Sequence, residues 1–398
     1  MPEINTQAGR ETETAAALHP RLVFLINVIA PYQKPIFDRL SLRFANMRVL
    51  LSAPMERNRS WKLDWNGLDV AVQKTITVNR RWHHPKGFRE PAYIHFPLDT
   101  ISQLRRYRAE VAVSWEMGTR TILAALYRWL YGSSKLLVWA EFSESTDHGR
   151  GSLRLLIRRV LHHAVDGFLV TGESGARYLR SLGVPDRKIH KIFYTTEVSR
   201  FVRLRVPLID RTRRLLYVGQ LIERKGLLQF LDTLACWGKQ HAEHSITLTL
   251  AGEGPLRLAL EHHRLPPNIK LFFRGNVAYD DLPGVYAEAD TFVFPTLADT
   301  WGVVVNEAMA SGLPVLGSVY GQAVSELVRD GFSGWTFRPD MPAEMSTALD
   351  TCLSVPPEIL QRMGEQARDT ARRLTPEYVS NLVAEAIHSA AADISSRK

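Results

Sequence analysis

The sequence predicts an α/β protein of two domains, each built on its own parallel sheet. Three observations predict it. Short apolar runs alternate with amphipathic helical stretches through most of the chain, the pattern of parallel strands joined by helical crossovers. The 398 residues are enough for two cores. Around residues 196–212 the periodicity lapses, which marks a linker. An apolar fraction of 45% and a charged fraction of 23% are those of a globular chain. No apolar run approaches the ~20 residues that span a bilayer.

Residues 1–20 read as a polar, poorly ordered arm without the apolar centre of a signal peptide, so the cytoplasm is the expected address. The first domain takes residues 21–195. Residues 22–28 read as its first strand, 36–44 as an amphipathic helix and 48–52 as the second strand. Pro31 and Pro35 hold open the loop after the first strand. That loop lacks Gly-x-Gly-x-x-Gly, so it suits an acceptor better than a dinucleotide. Residues 53–97 read as irregular, with Trp65, Trp82, His83 and His84 available to stack on a ligand or to pin the loop to the core.

From residue 101 the alternation is regular: helix 101–107, strand 111–114, helix 121–131, strand 136–139. The loop 140–150 then carries Glu141, Glu144 and His148. These groups can bind hydroxyls or move protons, and a hydrophilic connector has the same composition. In the next helix, residues 152–165, Leu153, Leu156, Val160, Leu161 and Ala164 recur at helical spacing and are expected to be its buried stripe. Arg154, Arg158 and His162 line another face, which suits solvent or anionic lipid. A strand at 167–170, a helix at 175–182 and a strand at 189–193 complete the domain.

The second domain takes residues 213–375. Its predicted strands are followed in turn by Gly219, by Gly252 and Gly254, by Gly275 and by Gly302. A parallel sheet gathers such loops at one edge, where ligands of open α/β sheets bind. Lys225 stands at the start of the first helix, where it reaches a phosphate as a point charge. Residues 291–294 read as a buried strand. Asp299 or Thr300 can cap a helix starting near Trp301, Gly312 ends it, and Pro314 forbids its continuation. The unpaired amides of Trp301, Gly302, Val303 and Val304 form a helix start able to hold an anion. Asp299 and Glu307, eight residues apart, add carboxylates that suit hydroxyls. A ligand with both phosphate and hydroxyls fits; so does a plain capped helix with a solvent-facing Glu307. Residues 376–398 form a last helix. Cys236 and Cys352 lack metal-ligand spacing and are expected as free thiols.

Charge is unevenly shared. Residues 1–200 hold 30 basic against 18 acidic side chains and residues 201–398 hold 20 against 23, so the net +9 belongs to the first half. A basic half suits an anionic membrane surface, a phosphate-bearing acceptor or nucleic acid. No nucleic-acid recognition module accompanies it.

Tyr217-Val218-Gly219-Gln220-Leu221-Ile222-Glu223-Arg224-Lys225-Gly226, Leu250-Ala251-Gly252-Glu253-Gly254-Pro255 and residues 298–315 together resemble the GT-B fold glycosyltransferases of family 4 (glycosyltransferase group 1). The resemblance covers the second domain nearly end to end; the first is similar more loosely, in its rhythm and in residues 32–37. It implies two Rossmann-like domains with parallel sheets facing a central cleft, and a final helix crossing back to the first domain. It implies a retaining, metal-independent glycosyltransferase of hexosyltransferase type, with no cofactor. A nucleotide-diphosphate sugar would be the donor and a glycan or lipid-linked molecule the acceptor, in cell-surface polysaccharide or glycolipid synthesis.

By the same resemblance Glu307 holds the ribose hydroxyls, Asp299 contacts the donor sugar and Lys225 neutralises the departing diphosphate. Gly219, Gln220, Arg224, Gly252, Gly254, Thr300, Trp301, Gly302, Val303 and Val304 surround the donor, and Gly275, Asn276 and Val277 line the base. Glu141, Glu144 and His148 are the first-domain residues able to assist. Two residues depart from the family pattern. Gln220 stands where an arginine is usual, with Arg224 in reach to replace it. Asp299 is one methylene shorter than the usual glutamate. A nucleotide-sugar epimerase of the same architecture, or a nucleotide-sugar-binding regulatory protein, would draw on the same residues.

Overall fold

A computed structural model describes residues 20–55, 64–132, 134–147, 149–202 and 212–395. In chain order the first domain contains β1 (Leu22–Ile26), α1 (Lys34–Arg43), β2 (Met47–Leu51), β3 (Val70–Val72), β4 (Thr75–His83), β5 (Arg89–Pro97), α2 (Thr100–Tyr107), β6 (Val111–Trp115), α3 (Thr119–Tyr131), β7 (Lys135–Ala140), α4 (Ser152–Leu161), β8 (Gly167–Thr171), α5 (Gly172–Ser181) and β9 (Ile189–Ile192). The second contains β10 (Arg213–Val218), α6 (Leu227–Gln240), β11 (Ile246–Ala251), β12 (Ile269–Gly275), α7 (Leu282–Ala287), β13 (Thr291–Phe294), α8 (Val303–Ala310), β14 (Val315–Ser318), α9 (Gln322–Leu327), β15 (Gly334–Phe337), α10 (Pro342–Ser354) and α11 (Pro357–Ala371). The last helix, α12 (Pro376–Ser395), packs on α1, so the chain ends on the first domain.

Two parallel sheets result, ordered β3–β2–β1–β6–β7–β8–β9 and β12–β11–β10–β13–β14–β15. The central strands β1, β6, β7 and β8 are buried on both faces. Helices cover each side of such a strand, which is why the sequence shows unbroken apolar runs there and not alternation. Cys236 is exposed and Cys352 buried, and both are free thiols.

Two expectations fail. The described residues 70–97 are not irregular: β3 extends the first sheet, and β4 and β5 pair antiparallel from Thr75↔Pro97 to His83↔Arg89. The hairpin turn carries Phe88, which packs with Trp82 against Leu297 and Ala298 of the second domain. His84 stacks on Phe88, with ring centroids 4.2 Å apart. Here the aromatic residues pin the hairpin to the core.

The stripe of the 152–165 helix is also inverted. Leu161 is buried as expected and Ala164 is half-buried, but Leu153 is 70% exposed, Leu156 59% and Val160 64%, whereas Arg158 is 1% exposed. Helical spacing identifies a stripe but does not say which stripe meets the sheet. Arg158 can be buried because its guanidinium donates to Asp147 Oδ1 at 2.7 Å and to the Tyr178 hydroxyl at 2.5 Å. It also lies over the Phe142 ring at 4.2 Å.

The domains meet through buried polar contacts. The Gln322 amide donates to the carbonyls of Phe142 (2.7 Å) and Thr300 (2.6 Å), and its oxygen accepts from the Gly175 amide (3.2 Å). Gln322→Ala strips these groups of that partner and is expected to cost about 1–3 kcal/mol, read as a lower urea midpoint. An unchanged midpoint would mean that water replaces the side chain.

Candidate active site

In the second sheet the strand order reverses between β10 and β13. The crevice outside the carboxyl ends of two such strands is where α/β sheets bind ligands. The turn after β10 carries Arg224 and Lys225, and the loop after β13 carries Asp299. The two loops are laced together: the Leu297 amide donates to the Arg224 carbonyl at 2.8 Å and the Thr296 hydroxyl donates to it at 3.2 Å. Gly226, at φ +67°, makes this approach possible, since a Cβ there would run into the Pro295 carbonyl.

Three charges converge where the loops touch. Lys225 Nζ forms an ion pair with Asp299 Oδ2, and Arg224 Nη1 lies 3.1 Å from the same oxygen. Arg224 also donates to the Ala298 carbonyl at 2.9 Å. Asp299 is only 8% exposed. Burial pushes its carboxyl up, but Lys225 and then Arg224 more than reverse this and hold it at about 2. Asp299 is thus a fixed anion that keeps two cations in place.

Asp299 and Thr300 do not cap the following helix. The side chain of Asp299 is engaged by Lys225, and the chain enters α8 through Gly302 at φ +101° with no side-chain cap. Val305 N–H bonds the Gly302 carbonyl, and the amides of Val303 and Val304 lie before the first intrahelical bond. The helix start that the sequence suggests at Trp301 thus begins two residues later. The Trp301 side chain is buried instead. It donates to Asn306 Oδ1 at 2.8 Å, and Asn306 donates to the Tyr194 carbonyl of the first domain at 3.2 Å.

Glu307, one turn into α8, does not face solvent. It is 3% exposed, and the Tyr286 hydroxyl donates to its Oε2 at 2.8 Å. Burial pushes its carboxyl up to about 7, although the bond from Tyr286 pulls the other way. The site therefore holds two buried carboxyls pushed in opposite directions: Asp299 held down at about 2 by its cations, and Glu307 raised to about 7 by burial.

The glycines do a different job from the charges. Gly219 and Gly252 sit at φ +147° and +145°, and a Cβ on Gly252 would strike the Gly219 carbonyl. A Cβ on Gly254 would meet the Leu221 backbone. These residues let the loops after β10 and β11 pack backbone against backbone. The Gln220 carbonyl accepts from Tyr217 at 2.8 Å. Gly275 ends β12 at φ +67°, followed by exposed Asn276 and half-buried Val277.

In the first domain, Glu141 accepts from Trp115 Nε1 at 2.7 Å. Glu144 is tied to Arg177 at 2.7 Å and to Ser174 at 3.1 Å, and the Arg177 bond holds its carboxyl below the usual range. His148 lies outside the described residues. Three contributors escape sequence reasoning: Tyr286 on Glu307, Gln322 between the domains, and the hairpin turn. The hairpin also reaches the cation loop directly at the start of β5, where the Arg89 amide donates to Glu223 at 3.0 Å. None belongs to a local motif; only the fold brings them to the site.

Residues 212–354 match the model of the glycosyl transferases group 1 family. The match takes in most of the second domain and none of the first. An uncharacterized glycosyltransferase of Methanocaldococcus jannaschii is 31% identical over 147 residues, 36% of this chain and 37% of its own. The sulfoquinovosyl transferase of Arabidopsis thaliana is 29% identical over 54% of this chain and 43% of its own. WcaL of Salmonella typhimurium, a putative colanic acid biosynthesis glycosyltransferase, is 26% identical over 51% of this chain and 52% of its own. The chain thus spans about half or less of the length of these curated relatives. The likeness of fold runs further. HepE of Anabaena, in complex with UDP and glucose, superposes with a TM-score of 0.68 at 16% identity, covering 93% of this chain and 100% of HepE. The sucrose-phosphate synthase of Thermosynechococcus elongatus gives 0.68 at 16%, covering 94% and 100%. Both domains together have the GT-B fold, with the group 1 match in its second half.

Proposed function

We propose that this chain is a retaining, metal-independent glycosyltransferase of family 4. It would move a hexosyl group from a nucleotide-diphosphate sugar to a glycan or lipid-linked acceptor in surface polysaccharide or glycolipid synthesis. The observation that carries the reading is the Arg224–Asp299–Lys225 cluster at the switch point of the domain that holds the group 1 match. A donor's diphosphate is the natural partner for two cations beside a helix start. Arg224 supplies the second cation that Gln220 does not.

In the proposed reaction an acceptor hydroxyl oxygen bonds to the anomeric carbon as that carbon's bond to the diphosphate breaks. The hydroxyl proton passes to the departing phosphate oxygen on the same face of the sugar. Lys225 and Arg224 stabilise the charge that builds on the diphosphate, together with the amides of Val303 and Val304. Asp299 keeps Oδ2 on its two cations and accepts from a sugar hydroxyl with Oδ1, and Glu307 accepts from the ribose. Of the first-domain carboxylates, Glu141 is better suited than Glu144 to contact the acceptor, because Glu144 is held by Arg177. The proposed location is cytoplasmic, against an anionic membrane surface.

A thermal-shift screen of nucleotide sugars, followed by a transfer assay with the donor that binds, tests the reading. Donor-dependent modification of an acceptor supports it. Donor consumed without any acceptor would point to an epimerase, and donor bound without transfer to a regulatory protein. Activity is expected to persist in excess chelator; loss restored specifically by one divalent ion would overturn the metal-free mechanism.

A further inference from the structure

The inverted helix α4 leaves an apolar face that the transferase reading does not use. Its neighbour α3 does the same. Both follow strands of the right-handed first sheet and pack on one side of it, and Arg128 of α3 donates to the Ala164 carbonyl just beyond α4 at 2.9 Å. On their outer sides stand Leu126, Trp129 and Leu130 of α3 and Leu153, Leu156 and Val160 of α4. Trp129 is 79% exposed. Nine of the exposed large apolar side chains among the described residues lie on these two helices, which is too concentrated for surface leucines scattered singly. Each apolar face runs the length of its own helix, about 15–20 Å.

The charge around this face is of one sign. Helices α2, α3 and α4 carry seven arginines and no aspartate or glutamate. Two of the arginines, Arg120 and Arg158, are buried, but Arg105, Arg106 and Arg159 are exposed. Arg105 lies 5.3 Å from the ring of Tyr131, the last residue of α3. Of the nearby carboxylates, Asp166 is paired with Arg128 at 2.6 Å and Asp147 with Arg158 at 2.7 Å, and Glu116 acts on Arg154. An apolar face with tryptophan and tyrosine at its border and arginines around it matches the interfacial zone of a bilayer. There the acyl boundary takes leucines, the headgroup layer takes aromatic rings, and anionic headgroups take guanidinium groups.

We infer that the outer face of α3 and α4 docks the protein on a bilayer of anionic lipid. This gives a site to the membrane partner proposed above. Its geometry also bears on the cleft, because α4 begins directly after the loop 140–150, whose Ser145 donates to the Tyr320 carbonyl of the second domain at 3.0 Å. Docking through α4 therefore sets one rim of the interdomain cleft beside the lipid, where a lipid-linked acceptor can enter. No helix among the described residues is long and apolar enough to cross a membrane.

Flotation of the full chain with vesicles tests the inference without any assay of transfer, so it can fail while the transferase reading stands. Binding is expected to vesicles containing phosphatidylglycerol and to be much weaker to phosphatidylcholine alone. Leu156→Ser and Val160→Ser, at sites already in water, are each expected to lower binding about tenfold. Arg105→Glu with Arg159→Glu should abolish the preference for anionic lipid. Brominated lipid should quench tryptophan fluorescence in the wild type and less in Trp129→Phe. No flotation with either vesicle, or equal flotation by all variants, would overturn the inference. So would a dimer in solution that Leu156→Ser dissociates while vesicle binding is absent, because the face would then belong to a second copy.

Discussion

Lys225→Ala is expected to lower turnover about a hundredfold or more, the loss seen when one donor to a developing oxyanion is removed. The geometry says why the loss falls on turnover. Lys225 is in a short turn between β10 and α6, and its ammonium is held by Asp299 at the switch point. Asp299 is ionised throughout the working range because its carboxyl is held at about 2. The ammonium is therefore fixed before a ligand arrives, and little reorganisation is needed as charge builds on the leaving diphosphate. Arg224, 3.1 Å from the same carboxylate oxygen, remains in the variant, so nucleotide-sugar binding should weaken less than the rate. Initial rates over a range of donor concentration separate the two: kcat should carry most of the change. A purified, folded Lys225→Ala protein with near-normal kcat would remove Lys225 from the mechanism.

The charged cluster was the most legible part of this site, and the reason is local. Lys225 lies seven residues and Asp299 five residues beyond a strand end, in segments whose glycines and prolines mark the loops. What the residues do to each other was not legible. Read locally, Asp299 looks like a helix cap, because a carboxylate just before an apolar helical run usually is one. Its engagement by Lys225 depends on β10 and β13 being neighbours, although 72 residues separate the end of one from the start of the other in the chain. Whether Glu307 faces a ligand or solvent stayed open, because nothing in its own helix predicts Tyr286. The hairpin β4–β5 escaped for the opposite reason: most of β4 is exposed, so no buried face imprints an alternation on the sequence. The inverted α4 shows the limit of periodicity most plainly. The spacing of Leu153, Leu156 and Val160 was real, but a buried Arg158 with Asp147 and Tyr178 as partners decided which side met the sheet.

The pH dependence of donor binding tests Glu307 without removing it from the fold. Its carboxyl is raised by burial from an ordinary 4.5 to about 7, with the Tyr286 bond opposing. Between those values the folded protein keeps a proton that the unfolded chain releases. The resulting stability is fully present below about 4.5 and is lost as pH rises through about 7, at about 1.4 kcal/mol per pH unit, on the order of 3 kcal/mol in all. Glu307→Gln has no such proton, so the difference between wild-type and variant urea stability should change across this window, with the wild type relatively weaker at the alkaline end. Donor binding should run the other way. A ribose hydroxyl that donates to Glu307 favours the carboxylate, so binding expels the proton below about 7. Affinity for a nucleotide sugar, whose diphosphate diester does not titrate in this range, should then fall by up to tenfold per pH unit on acidification. Calorimetry in two buffers of different ionisation enthalpy should detect the released proton, and Glu307→Gln should bind more weakly with no such slope. If wild-type affinity is flat from the acidic end of the window to its alkaline end, Glu307 accepts nothing from the ribose. Its bond with Tyr286 is then a structural one, and hydroxyl recognition has to be sought elsewhere in the cleft.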